Sequence, residues 1–265
     1  MDQDSLRTAV AAAGIDVEPL WRNDTPSTND EAKELATAGA PEWTVLAAGH
    51  QTAGRGRLGR TWVERPGTSL LCSVILRPDL DPASAPLVSL LAAAVMARAA
   101  TELSGSGVET KWPNDLVVGD RKLGGLLAEA RVEGPALEHV VLGMGVNLTA
   151  RPEDLPPDVA ATSLAIEGGA PEAAALLERF LGGFRALYRP SSESFPEEVL
   201  AVYRPTCATL GRRVRATTAG GEVVEGDAVE VDRGGGLVLE TGGGRVNVSF
   251  GEIVHLEGPG DGKEA

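Results

Sequence analysis

The sequence predicts an α+β fold: a strand-and-helix domain over residues 1–208, a small C-terminal β-barrel over 209–258, and a disordered tail over 259–265. Three observations carry this expectation. The apolar runs Trp43–Ala48 and Ser69–Leu76 suit buried strands. Leu87, Leu90, Leu91, Ala94 and Val95 recur at helical spacing, which places a helix under the sheet between Pro86 and Leu103. After Gly211 the chain changes to short alternating runs separated by glycine-rich turns, the pattern of a small barrel.

Taken in order, Ser5–Ala13 reads as a short helix. Thr28–Ala38 reads as a second, with Ser27 or Thr28 placed to cap it and Gly39 to end it. The strand Trp43–Ala48 delivers the chain into a loop starting at His50, and Pro78 closes the strand Ser69–Leu76. Short strands follow at Val108–Lys111, Leu116–Val118, Leu123–Glu129 and Glu138–Gly143, with Asp120-Arg121 at a hairpin tip. Leu176, Leu177, Phe180, Leu181, Phe184, Leu187 and Tyr188 mark another amphipathic helix, and Pro196–Tyr203 a further one. The boundary falls at Pro205–Gly211, and the barrel strands are Arg213–Thr217, Val223–Val231, Leu237–Glu240 and Val246–Phe250.

A net charge of −14 argues against a protein that coats nucleic acid, which needs a basic face to release counterions. Within this acidic chain Arg55, Arg57 and Arg60 cluster, and an anion is drawn to them. Cys72 and Cys207 are far apart, and His50, His139 and His255 are scattered, so a zinc site is not expected. Cys72 lies inside an apolar run and reads as a buried core thiol. No basic segment precedes an apolar one at the N-terminus, and no window approaches eighteen apolar residues. The chain therefore reads as cytoplasmic, reduced and without a membrane partner.

Gly54-Arg-Gly-Arg-Leu-Gly59 spells a dinucleotide-binding motif, and its extension to Arg60-Thr61 is close to a P-loop. Both require a helix next, and Pro66-Gly67 interrupts the stretch where it should run. Without a helix N-terminus, no dipole seats a pyrophosphate. What remains is a mobile glycine loop whose backbone approaches a ligand closely and whose arginines suit phosphate or carboxylate. A solvated basic turn is the alternative. In Lys111-Trp-Pro-Asn-Asp115, Asn114 and Asp115 can turn oxygens toward a cation or ribose, and Lys122 precedes Gly124-Gly125, which admit a small molecule. Composition alone leaves these open as turn residues and a surface lysine.

Read together, Ser27-Thr28-Asn29, Gly54–Arg60 with Trp62, Lys111–Asp115, Arg121–Gly125 and Gly143-Met-Gly-Val-Asn147 resemble the biotin–protein ligases, in family order over about residues 20–255. The resemblance implies a mixed-sheet catalytic domain of the biotin/lipoate ligase type, like class II aminoacyl-tRNA synthetases, and a terminal barrel of SH3 type. It implies activation of biotin by ATP to biotinyl-AMP, then transfer to a lysine of a biotin carboxyl carrier protein of an acyl-CoA carboxylase. Lys122 and Arg57 take the catalytic roles. Ser27, Thr28, Asn29, Gln51, Gly54, Arg55, Gly56, Arg57, Lys122 and Gly125 form the biotin end. Arg57, Arg60, Trp62, Asn114, Asp115, Lys122 and Asn147 serve the nucleotide, with Trp62 packing on adenine. Mg²⁺ arrives with ATP, touching Asn114 and Asp115, with no fixed metal site. The family often has a small polar residue where Glu64 stands. Some members carry an N-terminal winged helix-turn-helix and repress transcription; about twenty-six residues precede Ser27, too few for that domain, so no DNA binding is expected. A lipoate–protein ligase is the nearest alternative, and the barrel's role is open between a stabilising appendage and contact with nucleotide or acceptor.

Overall fold

The computed structural model describes residues 1–169, 172–218, 220–249 and 251–256. Seven strands form the larger sheet: β1 (Leu20–Thr25), β2 (Val45–Gln51), β3 (Ser69–Leu76), β4 (Glu109–Lys111), β5 (Asp115–Val118), β6 (Arg121–Glu133) and β7 (Ala136–Asn147). Their spatial order is β1-β2-β3-β7-β6-β5-β4. β1 and β2 run parallel and the other neighbours antiparallel, so the sheet is mixed, as the family resemblance implied.

β3 shows why the apolar run forms a central strand. All eight of its residues are buried, because both faces of the sheet are covered there. The two-residue period sends Leu70, Cys72, Val74 and Leu76 into the main core and Ile75 into a smaller one on the opposite face. Burial raises the Cys72 thiol far above its ordinary value, consistent with an inert core cysteine.

The main core is roofed by α1 (Gln3–Ala12), α3 (Pro86–Ser104), α4 (Ala173–Leu187) and α5 (Phe195–Tyr203). The other face carries α2 (Thr28–Thr37), which buries Ala32 and Ala36 against Leu46, Ile75 and Val141. Ser27 caps α2, its side chain accepting from Asp30 N–H at 3.4 Å. Beyond α2 that face stays open, and the cleft lies there.

α3 corrects one expectation. The segment Pro82–Ser104 has a mean hydropathy of 1.6 over its most apolar window, long and apolar enough by composition to cross a membrane. Its residues are instead enclosed by the sheet, α4 and α5. A helix apolar nearly all round is what such a position requires.

The second sheet contains β8 (Arg213–Thr218), β9 (Val223–Val231), β10 (Leu237–Thr241), β11 (Gly244–Val248) and β12 (Gly251–His255), ordered β11-β10-β9-β8-β12 with antiparallel neighbours. The expected strand Val246–Phe250 overlaps β11 at Val246–Val248, and β12 follows it as a further strand. Phe250 and the expected tail at 259–265 lie outside the described residues. β1 also differs from expectation: as an edge strand paired on one side, it carries the polar Arg22, Asn23 and Asp24, which hide its pattern. The hairpin tip is Gly119-Asp120, with Gly119 at φ +58° and Arg121 opening β6.

Trp112 joins the two sheets. It is 2% exposed; its Nε1–H donates to the Gly235 carbonyl and its backbone N–H to Thr209 Oγ1, each at 3.0 Å. The main core runs continuously from α3 through Trp112 to Val231 and Leu237. We expect Trp112→Phe to cost about 1–3 kcal/mol by stranding the buried Gly235 carbonyl, and Trp112→Ala about 3–5 kcal/mol. Urea unfolding followed by circular dichroism measures both.

Candidate active site

Glycines at alternate positions clear the open face of the large sheet. Gly125 pairs with Gly145 and Leu127 with Gly143, while on β3 the same two glycines face Leu71 and Ser73. A Cβ on Gly143 would lie 2.0 Å from Asn29 Oδ1, and one on Gly145 2.9 Å from the Trp62 ring. The floor therefore accepts side chains, or a flat ligand, directly against the backbone. Above it lies a cleft of about 480 Å³.

A β-bulge aims the lysine into this cleft. Asp115 pairs with Gly125 and Leu116 with Gly124, but Val117 pairs with Lys122, leaving Leu123 as the extra residue. Leu123 is fully buried in the core, and Lys122 emerges on the side of Asp115. Its Nζ donates to Asp115 Oδ1 at 2.7 Å, with the two side chains 33% and 27% exposed. The chain at 160–162 braces the lysine: Lys122 N–H donates to Ala160 O and Thr162 N–H to Lys122 O, both at 2.8 Å. Asn147 joins this brace through Nδ2, which donates to Thr162 O at 3.0 Å.

At the other end, Gln51 Oε1 accepts from the backbone N–H and hydroxyl of Thr28, at 2.8 and 3.1 Å. Ser73 Oγ lies 2.8 Å from Thr28 Oγ1 and 2.6 Å from Asn29 Oδ1. Asn29 Nδ2 donates to Leu127 O and to Glu129 Oε2. Burial raises the Glu129 carboxyl, but hydrogen bonds from Asn29, Arg55 and Lys33 outweigh it, and the net direction is down.

The glycine/arginine loop is a narrow hairpin, closed by the Arg55–Thr61 bridge and by Gly56 N–H donating to Arg60 O at 2.8 Å. No α-helix follows it. A three-residue 3₁₀ turn, Arg57–Gly59, forms its tip, with Leu58 in the left-handed region at φ 53°. Arg55 pairs with Asp30 and Glu129, Arg57 Nη1 donates to Asn114 Oδ1 at 3.2 Å, and Arg60 pairs with Glu252 of β12. Burial lowers the Arg57 and Lys111 pKa values, against the pull of Asp115 on both.

Of the residues the sequence singled out, Ser27, Thr28, Asn29, Gln51, Arg55, Gly56, Arg57, Arg60, Trp62, Asn114, Asp115, Lys122, Gly125 and Asn147 all line this one cleft. Gly54 does not. It is buried in the hairpin, where a Cβ would meet Trp62 O at 2.8 Å. Sequence reasoning missed Ser73, Glu129 and Glu252. Only an acidic residue ending the apolar stretch Leu123–Glu129 hinted at the second, and nothing local marks the others. Among the described residues no group of three or more His, Cys, Asp or Glu side chains is placed to hold a metal.

These features meet their counterparts in known proteins. The Biotin/lipoate A/B protein ligase family profile matches residues 21–147, and the Biotin protein ligase C terminal domain profile matches 209–256. A biotin–[acetyl-CoA-carboxylase] ligase from Mycobacterium tuberculosis is 38% identical over 267 residues, covering 97% of this chain and 96% of the relative. The chain belongs to the biotin protein ligase family. Another relative of this family member, the bifunctional ligase/repressor BirA of Bacillus subtilis, is 34% identical over 88% of this chain and 73% of its own length. Among solved structures, a mutant biotin protein ligase from Aquifex aeolicus in complex with biotin superposes with a TM-score of 0.75 at 25% identity, covering 91% of this chain and 98% of that one. A second Aquifex structure, in complex with biotin and ATP, shares the fold with a TM-score of 0.71 at 23% identity, covering 90% and 99%.

His255 stands where the second sheet meets this cleft, with Nδ1 3.7 Å from Asp120 Oδ1 and 3.1 Å from Arg212 Nη1. Burial, then the charges of Lys111 and Arg212, lower its pKa from 6.5 to about 4. Folding thus favours the neutral ring. Its contribution to stability is complete above pH 6.5 and lost as pH falls through about 4. The stability difference between wild type and His255→Gln, measured by urea denaturation, is expected to shrink across that interval as the medium is acidified.

Proposed function

We propose that this family member activates biotin with ATP and transfers it to a specific lysine of a biotin carboxyl carrier protein. The observation that carries the reading is the position of Lys122. Its ammonium stands beside Asp115 at 2.7 Å, and the cleft it lines continues to the Thr28–Gln51 set on one side and the loop arginines on another. A carboxylate and a triphosphate repel each other, so cations must hold them together. Lys122 and Arg57 are assigned that task.

In the first step a biotin carboxylate oxygen forms a bond to the α-phosphorus of ATP, and the bond to the β-phosphate bridging oxygen breaks, releasing pyrophosphate. Charge grows on the α-phosphate oxygens during attack, and Lys122 acts there as a fixed point charge, with no proton to transfer. In the second step the neutral amine of the acceptor lysine attacks the carbonyl carbon of biotinyl-AMP; AMP leaves, and the new amide loses a proton. Ser27, Thr28, Asn29, Gln51, Arg55, Gly56 and Gly125 are assigned to biotin, and Arg60, Trp62, Asn114, Asp115 and Asn147 to the nucleotide. The donor set of one carboxylate (Asp115) and one amide oxygen (Asn114) suits Mg²⁺ held mainly by phosphate oxygens; such an ion would neutralise phosphate charge. The mobile loop would cover the adenylate and limit its hydrolysis.

We also propose a cytoplasmic location and a domain division at 208/209, supported by the carrier-protein substrate and the change from one sheet to the other. The charge of −14 supports a ligase that does not bind duplex DNA.

Pyrophosphate release with ATP and biotin, compared with ATP and lipoate, tests the substrate assignment; turnover with lipoate alone would overturn it. Lys122→Ala is expected to retain biotin binding while adenylation falls on the order of 10²–10³-fold, measured by pyrophosphate release and by calorimetry. Unchanged turnover removes Lys122 from its role. Electrophoretic mobility of duplex DNA should be unaffected at micromolar protein, and a salt-sensitive shift would refute the third proposal.

A further inference from the structure

Glu64 closes the loop that leaves β2, and the proposed reaction gives it no role. Its side chain is 1% exposed. Oε1 accepts from the Gln51 backbone N–H at 3.1 Å and lies 2.7 Å from His50 Nδ1. A carboxylate only accepts, so this contact is a hydrogen bond in the tautomer with the His50 proton on Nδ1. The second oxygen, Oε2, is buried with no hydrogen-bond partner among the described residues. Burying a carboxylate is costly unless it is paired and hydrogen-bonded, and here both of those contacts end on Oε1.

The bonds around Glu64 form the base of the loop. Below it, Gly67 N–H donates to Gly49 O at 3.0 Å; above it, Trp62 N–H donates to Gly54 O at 2.9 Å. Between these two backbone bonds, Glu64 ties the outgoing strand at His50 and Gln51 to the returning one. From Gln51 the chain of contacts continues into the cleft, through Thr28 to Ser73. From Glu64 the returning strand carries Trp62, whose ring covers Gly145 and whose Nε1 is likewise buried without a partner. One carboxylate oxygen therefore governs the start of both walls of the cleft.

We propose that Glu64, paired with His50, is a positioning residue: it fixes the base of the 52–63 loop, and so sets how tightly biotin is held and how slowly the adenylate escapes. The inference rests on the biotin reading of the cleft. The feature used is the acceptor at Oε1, since both bonds end there. A carboxamide preserves it; alanine removes it; aspartate withdraws it by one methylene.

The test uses the full-length chain with biotin, ATP and Mg²⁺, folding being checked by circular dichroism. Glu64→Ala is expected to raise the biotin KM and the biotinyl-AMP dissociation rate by about 10–100-fold, while kcat at saturating biotin stays within about threefold. Trypsin should cut the ligand-free variant faster at Arg55, Arg57 and Arg60 than the wild type. Glu64→Gln is expected to recover wild-type values to within about threefold. Glu64→Asp should fall between, and it carries the test if the alanine variant does not fold. Biotin KM and adenylate dissociation within about twofold of wild type in both Glu64→Ala and Glu64→Asp would overturn the inference. So would a Glu64→Gln variant as impaired as the alanine. A wild-type chain inert with biotin and ATP would instead overturn the functional reading on which the inference stands.

Discussion

The structure depends on keeping one face of a buried sheet free of side chains. β3 and β7 are packed from both sides along most of their length, so their residues would ordinarily be large and apolar. Gly143 and Gly145 of β7, with Gly125 beside them on β6, break that rule at adjoining positions on the cleft face. Asn29 and Trp62 approach from opposite sides into the space so created. A methyl group at Gly143 would lie 2.0 Å from Asn29 Oδ1, whereas at Gly145 it would lie 2.9 Å from the Trp62 indole, a milder clash. The two glycines thus have different tolerances, although only Met144 separates them in the sequence.

Charge is distributed around that floor by pairing. Each loop arginine meets a partner from a different part of the chain: Arg55 from α2 and β6, Arg57 from the turn before β5, Arg60 from β12. The hairpin is consequently fastened at several separate points, and none of these lies in its own sequence neighbourhood. Exposed ion pairs are weak individually, so the fastening holds an empty loop in place without making its release expensive.

Much of this was legible before the fold was known. The strands with both faces buried, and the helices with a clear apolar stripe, announce themselves through composition and spacing. Three of the short motifs, Gly54–Arg60, Arg121–Gly125 and Gly143–Asn147, combine glycine with a charged or amide side chain, a pairing of little use inside a core. β1 was illegible because an edge strand needs no apolar alternation. β12 was obscured because glycines 242–244 and Gly251 punctuate the barrel region at irregular intervals. Ser73 and Glu129 could not be found because what distinguishes them is a partner some forty-five to one hundred residues away in the chain. Gly54 stands outside the cleft lining for a related reason: its letter fits the motif, but its neighbour in space is the backbone of Trp62.

The bulge at Leu123 has a consequence for any attempt to move this site. In a regular ladder the alternation of strand residues decides which side chains share a face. Here a single additional residue resets the phase between Asp115 and Lys122. A lysine introduced at position 123 of this hairpin would point into the core, where Leu123 is buried, and a regular ladder of the same length would pair the native lysine with Val118 and turn it to the wrong side. The portable unit is therefore the whole irregular hairpin from Asp115 to Gly125. A designer who copied the two charged residues onto an ideal pair of strands would reproduce the letters and lose the geometry.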